Sequence, residues 1–187
     1  MDHLHIAKEI DVEPLRAALA AKPHLFGQHN ARATTYGSPH SQMTDIWVRF
    51  NHISKLGPGF NDEHDSVWYP AYYELPELND ILFRLMGFVQ GERLGGVLIT
   101  KLPPGGSIDA HVDQGWHAEY YEKFYIAIQN GPGSVFNFPS GEIHAKPGDC
   151  YWFDNSVPHS VTNGADTERI ALIVCIKSDT YKELRRG

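Results

Sequence analysis

The sequence predicts a mainly β fold, a jelly-roll with helices packed on one face and built as a single domain. Two observations carry this expectation. From Gly95 onward, short apolar runs (Val97 to Leu102, Phe124 to Ile128, Val135 to Phe138, Cys150 to Phe153, Ile170 to Ile176) alternate with turn residues, as strands of a sandwich or barrel do. The punctuation falls between the runs, at Pro103-Pro104-Gly105-Gly106, Gly131-Pro132-Gly133, Pro139-Ser140-Gly141, Pro147-Gly148-Asp149 and Asn163-Gly164. A length of 187 residues with 42% hydrophobic content is also enough to close one core. One β core over residues 96–177, supported by helices, loops and a candidate lid over 1–95, accounts for all of 1–187 without internal repeats.

Upstream of Gly95 the elements are sparser. Asp11 can cap a first helix, with Pro14 in its opening turn and Leu15, Ala18 and Leu19 at helical spacing. Residues 27–73 carry Gly37, Pro39, Gly57, Pro58, Gly59 and Pro70 and read as ordered loop around one strand, Ile46 to Phe50. A second helix has Pro76 in its first turn, Leu78, Ile81, Leu82, Leu85 and Met86 on one face, and Gly87 as its end, so that it can lie across a sheet. Trp47, Arg49, Trp68, Tyr69, Tyr72 and Tyr73 are lid candidates, with plain core as the alternative.

A net charge of −7 argues against a broad nucleic-acid surface, which needs clustered Lys and Arg. No apolar run is long enough to span a bilayer, and the N-terminus lacks a secretory pattern. Cys150 and Cys175 sit inside apolar runs and read as buried small hydrophobes, which fits a reducing, cytoplasmic setting. The sequence sets no oligomeric state.

The chemistry concentrates in three places. In Ile108 to Asp113, His111 and Asp113 are two positions apart, so an extended strand would turn both side chains to one face. His159, just after the Cys150 to Phe153 run, is the third candidate ligand. Two imidazoles and a carboxylate on one face of an octahedron suit non-haem Fe(II) activating O2, although zinc hydrolases use such ligands too. Arg169, ten residues past His159 and opening the last apolar run, is placed to grip a carboxylate by paired hydrogen bonds. A dicarboxylate cosubstrate is its natural guest.

The stretch from Thr100 to Ile176 resembles the aspartyl/asparaginyl β-hydroxylase-like branch of the 2-oxoglutarate/Fe(II) oxygenases. The resemblance rests on Leu102-Pro103-Pro104-Gly105-Gly106 before His111, the Gly148-Asp149 turn, Phe153-Asp154-Asn155-Ser156 leading into His159, and Glu168-Arg169-Ile170 before an apolar strand. It implies a double-stranded β-helix core, Fe(II) with bidentate 2-oxoglutarate, and hydroxylation coupled to release of succinate and CO2. Residue by residue, it implies His111 and His159 as iron ligands, Arg169 as the cosubstrate anchor and Thr100 as a hydroxyl beside it. Lys123 and Tyr125 stand where the family often has a basic residue and a histidine that hold 2-oxoglutarate. Some relatives lack the carboxylate ligand that Asp113 would supply.

The ordinary alternatives are a strand histidine hydrogen-bonded to an aspartate, and Arg169 as a strand-end cation paired with Asp166 or Glu168. Among eleven histidines, His117 stands out with Trp116, because both follow the metal strand and could face substrate or pack on the core. The prime substrate implied is an Asp- or Asn-like side chain of a peptide, or a small amino-acid-like molecule. The rival readings are a non-catalytic sensor or interaction module that binds metal or a carboxylate, and a cupin-type enzyme without 2-oxoglutarate, which leaves Arg169 idle.

Overall fold

The computed structural model describes residues 1–57 and 59–186; Pro58, one of the turn residues named above, lies outside them. In chain order the elements are β1 (His3–Ala7), α1 (Glu13–Ala21), α2 (Ala31–Thr34), β2 (Thr44–Phe50), β3 (Val67–Trp68), α3 (Pro70–Glu74), α4 (Leu78–Phe88), β4 (Arg93–Leu102), β5 (Ser107–His111), α5 (Trp116–Tyr120), β6 (Glu122–Gln129), β7 (Ser134–Phe138), β8 (Gly141–Ile143), β9 (Cys150–Phe153), β10 (His159–Asn163), β11 (Arg169–Lys177) and α6 (Asp179–Lys182). None of the described helices is long and apolar enough to cross a membrane.

The strands form two antiparallel sheets, one of seven strands ordered β1-β9-β6-β11-β4-β2-β3 and one of four ordered β5-β10-β7-β8. This is the expected jelly-roll. The large sheet is buried on both faces, and side-chain alternation divides its strands between two cores. Ile170, Leu172, Val174 and Ile176 of β11, Val97 and Ile99 of β4, and Phe124, Ile126 and Ile128 of β6 turn outward onto Leu15 and Leu19 of α1 and Leu78, Ile81, Leu82 and Leu85 of α4. Tyr125, Ala127, Leu102 and Ala171 turn inward toward Ile108, Phe136, Phe138 and Val161 of the small sheet. Between the sheets lies a cavity of about 700 Å³.

Several local expectations shift. Asp11 stands one residue before the N-cap, Val12, and its Oδ1 accepts the Glu13 N–H at 3.2 Å. Pro76 precedes α4, and Gly87 lies inside it rather than at its end. The helix closes instead through Gln90 at φ 51°, with the Gln90 N–H donating to Gly87 O and the Gly91 N–H to Met86 O, a Schellman arrangement with glutamine in the left-handed position. The segment 27–73 holds α2, a 3-10 turn at Ile53–Lys55, most of α3 and a second strand beyond the one expected. β1 was not anticipated; its alternation sends Leu4 and Ile6 to the outer core, while His3 packs on Phe138 and His5 stacks on Tyr151.

Candidate metal centre and active site

The β5–β10 ladder places His159, the first residue of β10, directly opposite His111, the last of β5. Their ring centroids are 4.4 Å apart. Each ring is fixed the same way, with Nδ1–H donating to the carbonyl two residues upstream: His111 to Asp109 O at 2.8 Å and His159 to Val157 O at 2.9 Å. That bond selects the Nδ1–H tautomer and leaves both Nε2 lone pairs free, which is how a metal-binding imidazole is oriented.

Asp113 arrives by a different route from the strand alternation expected. β5 ends at His111, and the chain turns off the ladder; the Asp113 N–H is caught by Asn155 O at 3.0 Å. Its carboxylate then lies 3.7 Å from His111 Nε2 and 3.8 Å from His159 Nε2. One ligand atom from each of the three residues falls within 4.8 Å of the others. A donor set of two neutral imidazoles and one carboxylate fits a divalent first-row metal. Burial favours the neutral form of Asp113, but Lys123, which ion-pairs with it, and the two histidines outweigh that and hold its carboxyl below the usual range. Burial also lowers the His159 pKa, keeping the ring neutral.

Arg169 is 4% exposed and lines the same cavity. Among the described residues no carboxylate pairs with it; Glu168 is bound instead by Lys101 at 3.0 Å. Its guanidinium lies over the Tyr125 ring at 4.9 Å, so Tyr125 is a buried floor under the arginine and is not itself on the cavity wall. Thr100, on the inner face of β4 opposite Ala171, lines the cavity near it. Lys123 lines the cavity as well, engaged with Asp113.

His117 and Trp116 part ways on α5. His117 is buried on the cavity wall and its Nε2 accepts the Gly96 N–H at 3.1 Å, while burial, Lys123 and His64 push its pKa down to about 3. A Cβ on Gly96 would come within 3.0 Å of the Phe50 ring and 3.1 Å of His117, so the bare backbone is what lets these groups meet. Trp116 stacks on Tyr120 and packs on His64, off the cavity wall.

Of the lid candidates only Trp47 lines the cavity; Arg49 lies over Trp68, which stacks on Tyr72, and Tyr73 is exposed. The roof comes instead from α2 and from Leu56, Phe60 and Asn61. Sequence reasoning missed Arg32, His40 and Asp45. Arg32 donates from Nη1 to Asp45 Oδ2 at 2.9 Å and from Nη2 to His40 Nε2 at 3.2 Å, and the His40 ring meets His111 edge-on at 4.8 Å. The only signal was alternation along β2, which puts Asp45 and Trp47 on one face.

Comparison with known proteins bears on the family and the fold. The aspartyl/asparaginyl beta-hydroxylase family profile matches residues 16–178, reaching far upstream of the Thr100 to Ile176 stretch whose motifs are visible by eye. A curated relative, an oxalate-binding protein of Thermotoga maritima, is 33% identical over 76 residues, which is 41% of this chain and 57% of that protein. The chain therefore spans little more than half the length of that relative. Among solved structures, an oxidoreductase of the 2OG-Fe(II) oxygenase family from Burkholderia pseudomallei superposes with a TM-score of 0.54 at 16% identity, over 85% of this chain and 77% of its own. A prolyl-4-hydroxylase from Pseudomonas putida gives 0.51 at 14% identity, over 95% and 92%. At such identities these two speak to the fold. The family profile covers most of the sequence, and the chain belongs to the aspartyl/asparaginyl beta-hydroxylase family.

Proposed function

We propose that this protein is an Fe(II)- and 2-oxoglutarate-dependent oxygenase that hydroxylates an amino-acid-like group, in a peptide or a small molecule. The observation that carries the reading is a buried arginine without a carboxylate partner, Arg169, in the same cavity as the His111–Asp113–His159 cluster. A desolvated guanidinium left alone is costly, and a dicarboxylate bridging from the metal to Arg169 would satisfy it.

In this reading His111 and His159 present Nε2 to the metal, held by their Nδ1–H bonds, and Asp113 contributes the third ligand and a negative charge. Iron, when bound, supplies oxygen activation, coupling decarboxylation of 2-oxoglutarate to succinate and CO2 with hydroxylation of the substrate. Arg169 grips the distal carboxylate by its planar fork, with Thr100 alongside and Tyr125 fixing the guanidinium from beneath. Phe136, Phe153, Val161 and Ile173 wall the cavity with apolar surface that keeps bulk water from these groups. Lys123, next to Asp113, adds a cation that steadies the carboxylate and meets the anionic cosubstrate.

The test is succinate formation from 2-oxoglutarate with Fe(II), ascorbate and O2, which such enzymes give slowly even without prime substrate. A second reading, non-catalytic binding of metal and a small carboxylate, is supported by the partial likeness to a protein named for oxalate binding. Tight binding of Mn(II) and 2-oxoglutarate with no succinate under any Fe(II) condition would favour it.

A further inference from the structure

The charges on the cavity wall are lopsided. Arg32, Lys123 and Arg169 line it, and among the described residues Asp113 is the only acidic side chain that does. Lys123 is engaged by Asp113, and the oxygenase reading gives Arg169 to the distal carboxylate of 2-oxoglutarate. Arg32 is the cation left over.

Arg32 sits on α2 in the roof, and its side chain is 28% exposed. Nη1 donates to Asp45 Oδ2 at 2.9 Å and Nη2 to His40 Nε2 at 3.2 Å, while the rest of its N–H fork has no partner among the described residues. Both tethers lead inward. Asp45 stands opposite Thr100 of the cavity floor, and the His40 ring meets the ligand His111. Asp45 itself is only 5% exposed and stays off the wall, so it holds the guanidinium from behind without meeting a guest.

Beyond Arg32 the wall turns apolar. Trp47 stacks on Phe60 at 5.7 Å and meets Phe50 edge-on at 6.0 Å, and all three line the cavity. Trp47 and Phe50 belong to β2, which β4 separates from β11, whereas the Arg169 guanidinium lies over Tyr125 of β6 on the other side of β11. The cosubstrate anchor and the aromatic wall thus occupy opposite ends of one cavity. Its volume of about 700 Å³ is that of a small-molecule site.

These features select among guests. With a divalent metal and dianionic 2-oxoglutarate bound, those two charges cancel, as do Asp113 with Lys123 and Asp45 with Arg32, so the charge of Arg169 remains to be balanced. One further anion does so. A cation would add to the excess and find no free carboxylate on the wall, and a neutral or zwitterionic guest would leave the excess as it is.

We propose that Arg32 takes the carboxylate of the prime substrate, a small carboxylic acid that carries no cationic group and lays its apolar body on Trp47, Phe50 and Phe60. This rests on the oxygenase reading and narrows its amino-acid-like substrate to a form with a free carboxylate and an uncharged nitrogen, as in an N-acyl amino acid.

The experiment is isothermal titration of the protein loaded with Mn(II) and 2-oxoglutarate. The probes are N-acetyl-L-leucine, N-acetyl-L-phenylalanine and 3-phenylpropionate, each beside its amide, with L-leucine and L-phenylalanine as zwitterions. At least one acid is expected to bind, with its amide and the zwitterions weaker by at least about tenfold. Its affinity should hold when 2-oxoglutarate is raised further, because the two guests use different arginines. Arg32→Gln alone would strand the buried Asp45, so the first variant is Arg32→Gln with Asp45→Asn, which should lose the preference for acid over amide. Arg32→Lys keeps the ion pair without the planar fork and should lose part of it. Thermal melts check that each variant folds. The inference is overturned if no acid binds, if an amide or zwitterion binds as tightly, if the acid binds only by displacing 2-oxoglutarate, or if the folded variants keep the wild-type preference. Mn(II) supports no turnover, so the titration decides this point independently of the succinate assay, whose failure would count against the oxygenase reading alone.

Discussion

Arg169 lies over Tyr125, its guanidinium carbon 4.9 Å from the ring centroid, and among the described residues no carboxylate answers its charge. The ligand-free fold bears the cost of a buried cation that a carboxylate cosubstrate would relieve.

Binding and stability should therefore move in opposite directions at this position. Arg169→Met is expected to weaken 2-oxoglutarate binding to the Mn(II) form by about 2–5 kcal/mol. The same change should raise the ligand-free Tm by about 2–4 °C, because an apolar side chain of similar length no longer needs a partner. Arg169→Lys should restore binding only in part, since an ammonium lacks the planar fork. Titration and a thermal melt on one preparation check both signs. An unchanged 2-oxoglutarate affinity in Arg169→Met would make the arginine purely structural.

For the metal, His111→Ala and His159→Ala should each lower Co(II) or Mn(II) affinity by more than about a hundredfold, beyond the loss seen when only supporting groups are disturbed. Asp113→Ala should cost at least about tenfold, and it also strands Lys123 in the cavity without its partner. Asp113→Glu should be impaired too, because the longer arm moves the oxygen relative to both imidazoles. The visible spectrum of bound Co(II) reports these ligand changes without turnover. Wild-type affinity in Asp113→Ala would leave a two-histidine site.

The pH dependence of stability should carry a signature of His117. Its pKa is pushed down to about 3 by burial, Lys123 and His64, whereas the unfolded ring takes a proton near pH 6.5. Between those values the unfolded chain holds the extra proton, so stability falls as pH drops from about 6.5 toward 3, by up to about 1.4 kcal/mol per pH unit. His117→Gln keeps an acceptor for the Gly96 N–H and removes that slope. Urea unfolding of both proteins at pH 7.5, 6 and 5 makes the comparison; parallel curves would mean that His117 is protonated in the folded state after all.

A fourth prediction concerns the C-terminal turn. Arg185 donates to Ala118 O at 3.2 Å, Tyr121 O at 2.9 Å and Asn155 Oδ1 at 2.5 Å, and pairs with the buried Glu122 at 2.9 Å. It thus joins α5 to the loop whose Asn155 carbonyl holds the Asp113 N–H. Arg185→Ala should destabilise by about 3–5 kcal/mol by stranding Glu122, and adding Glu122→Gln should recover much of that loss. The thermal melts of the single and double variants decide it; equal losses would show that the pair is not what matters.

The strands of the core were legible because their apolar runs are short, β-branched and bounded by Gly and Pro, and the pairing of His111 with His159 was legible because each stands at a strand end after a turn motif. Asp113 was named on a mistaken geometry. The alternation that suggested it stops at His111, and a bond from Asn155, over forty residues away, does the placing. β1 was passed over because its inward positions are His3 and His5, polar residues that break the expected apolar alternation yet pack on Phe138 and Tyr151. Arg32, His40 and Asp45 form no motif at all. They meet only because α2 folds back over β2, and contacts of that kind are set by tertiary packing, which local pattern does not encode.

The division of β11 into an outward row, Ile170, Leu172, Val174 and Ile176, and an inward row, Arg169, Ala171, Ile173 and Cys175, has an evolutionary side. Residues that hold the helices and residues that meet the guest are different letters of the same strand. A lineage can therefore change which molecule the cavity admits by point substitution at every second position while the other positions keep the domain folded. The same rule makes a one-residue insertion in this strand ruinous, because it would exchange the two rows in a single step.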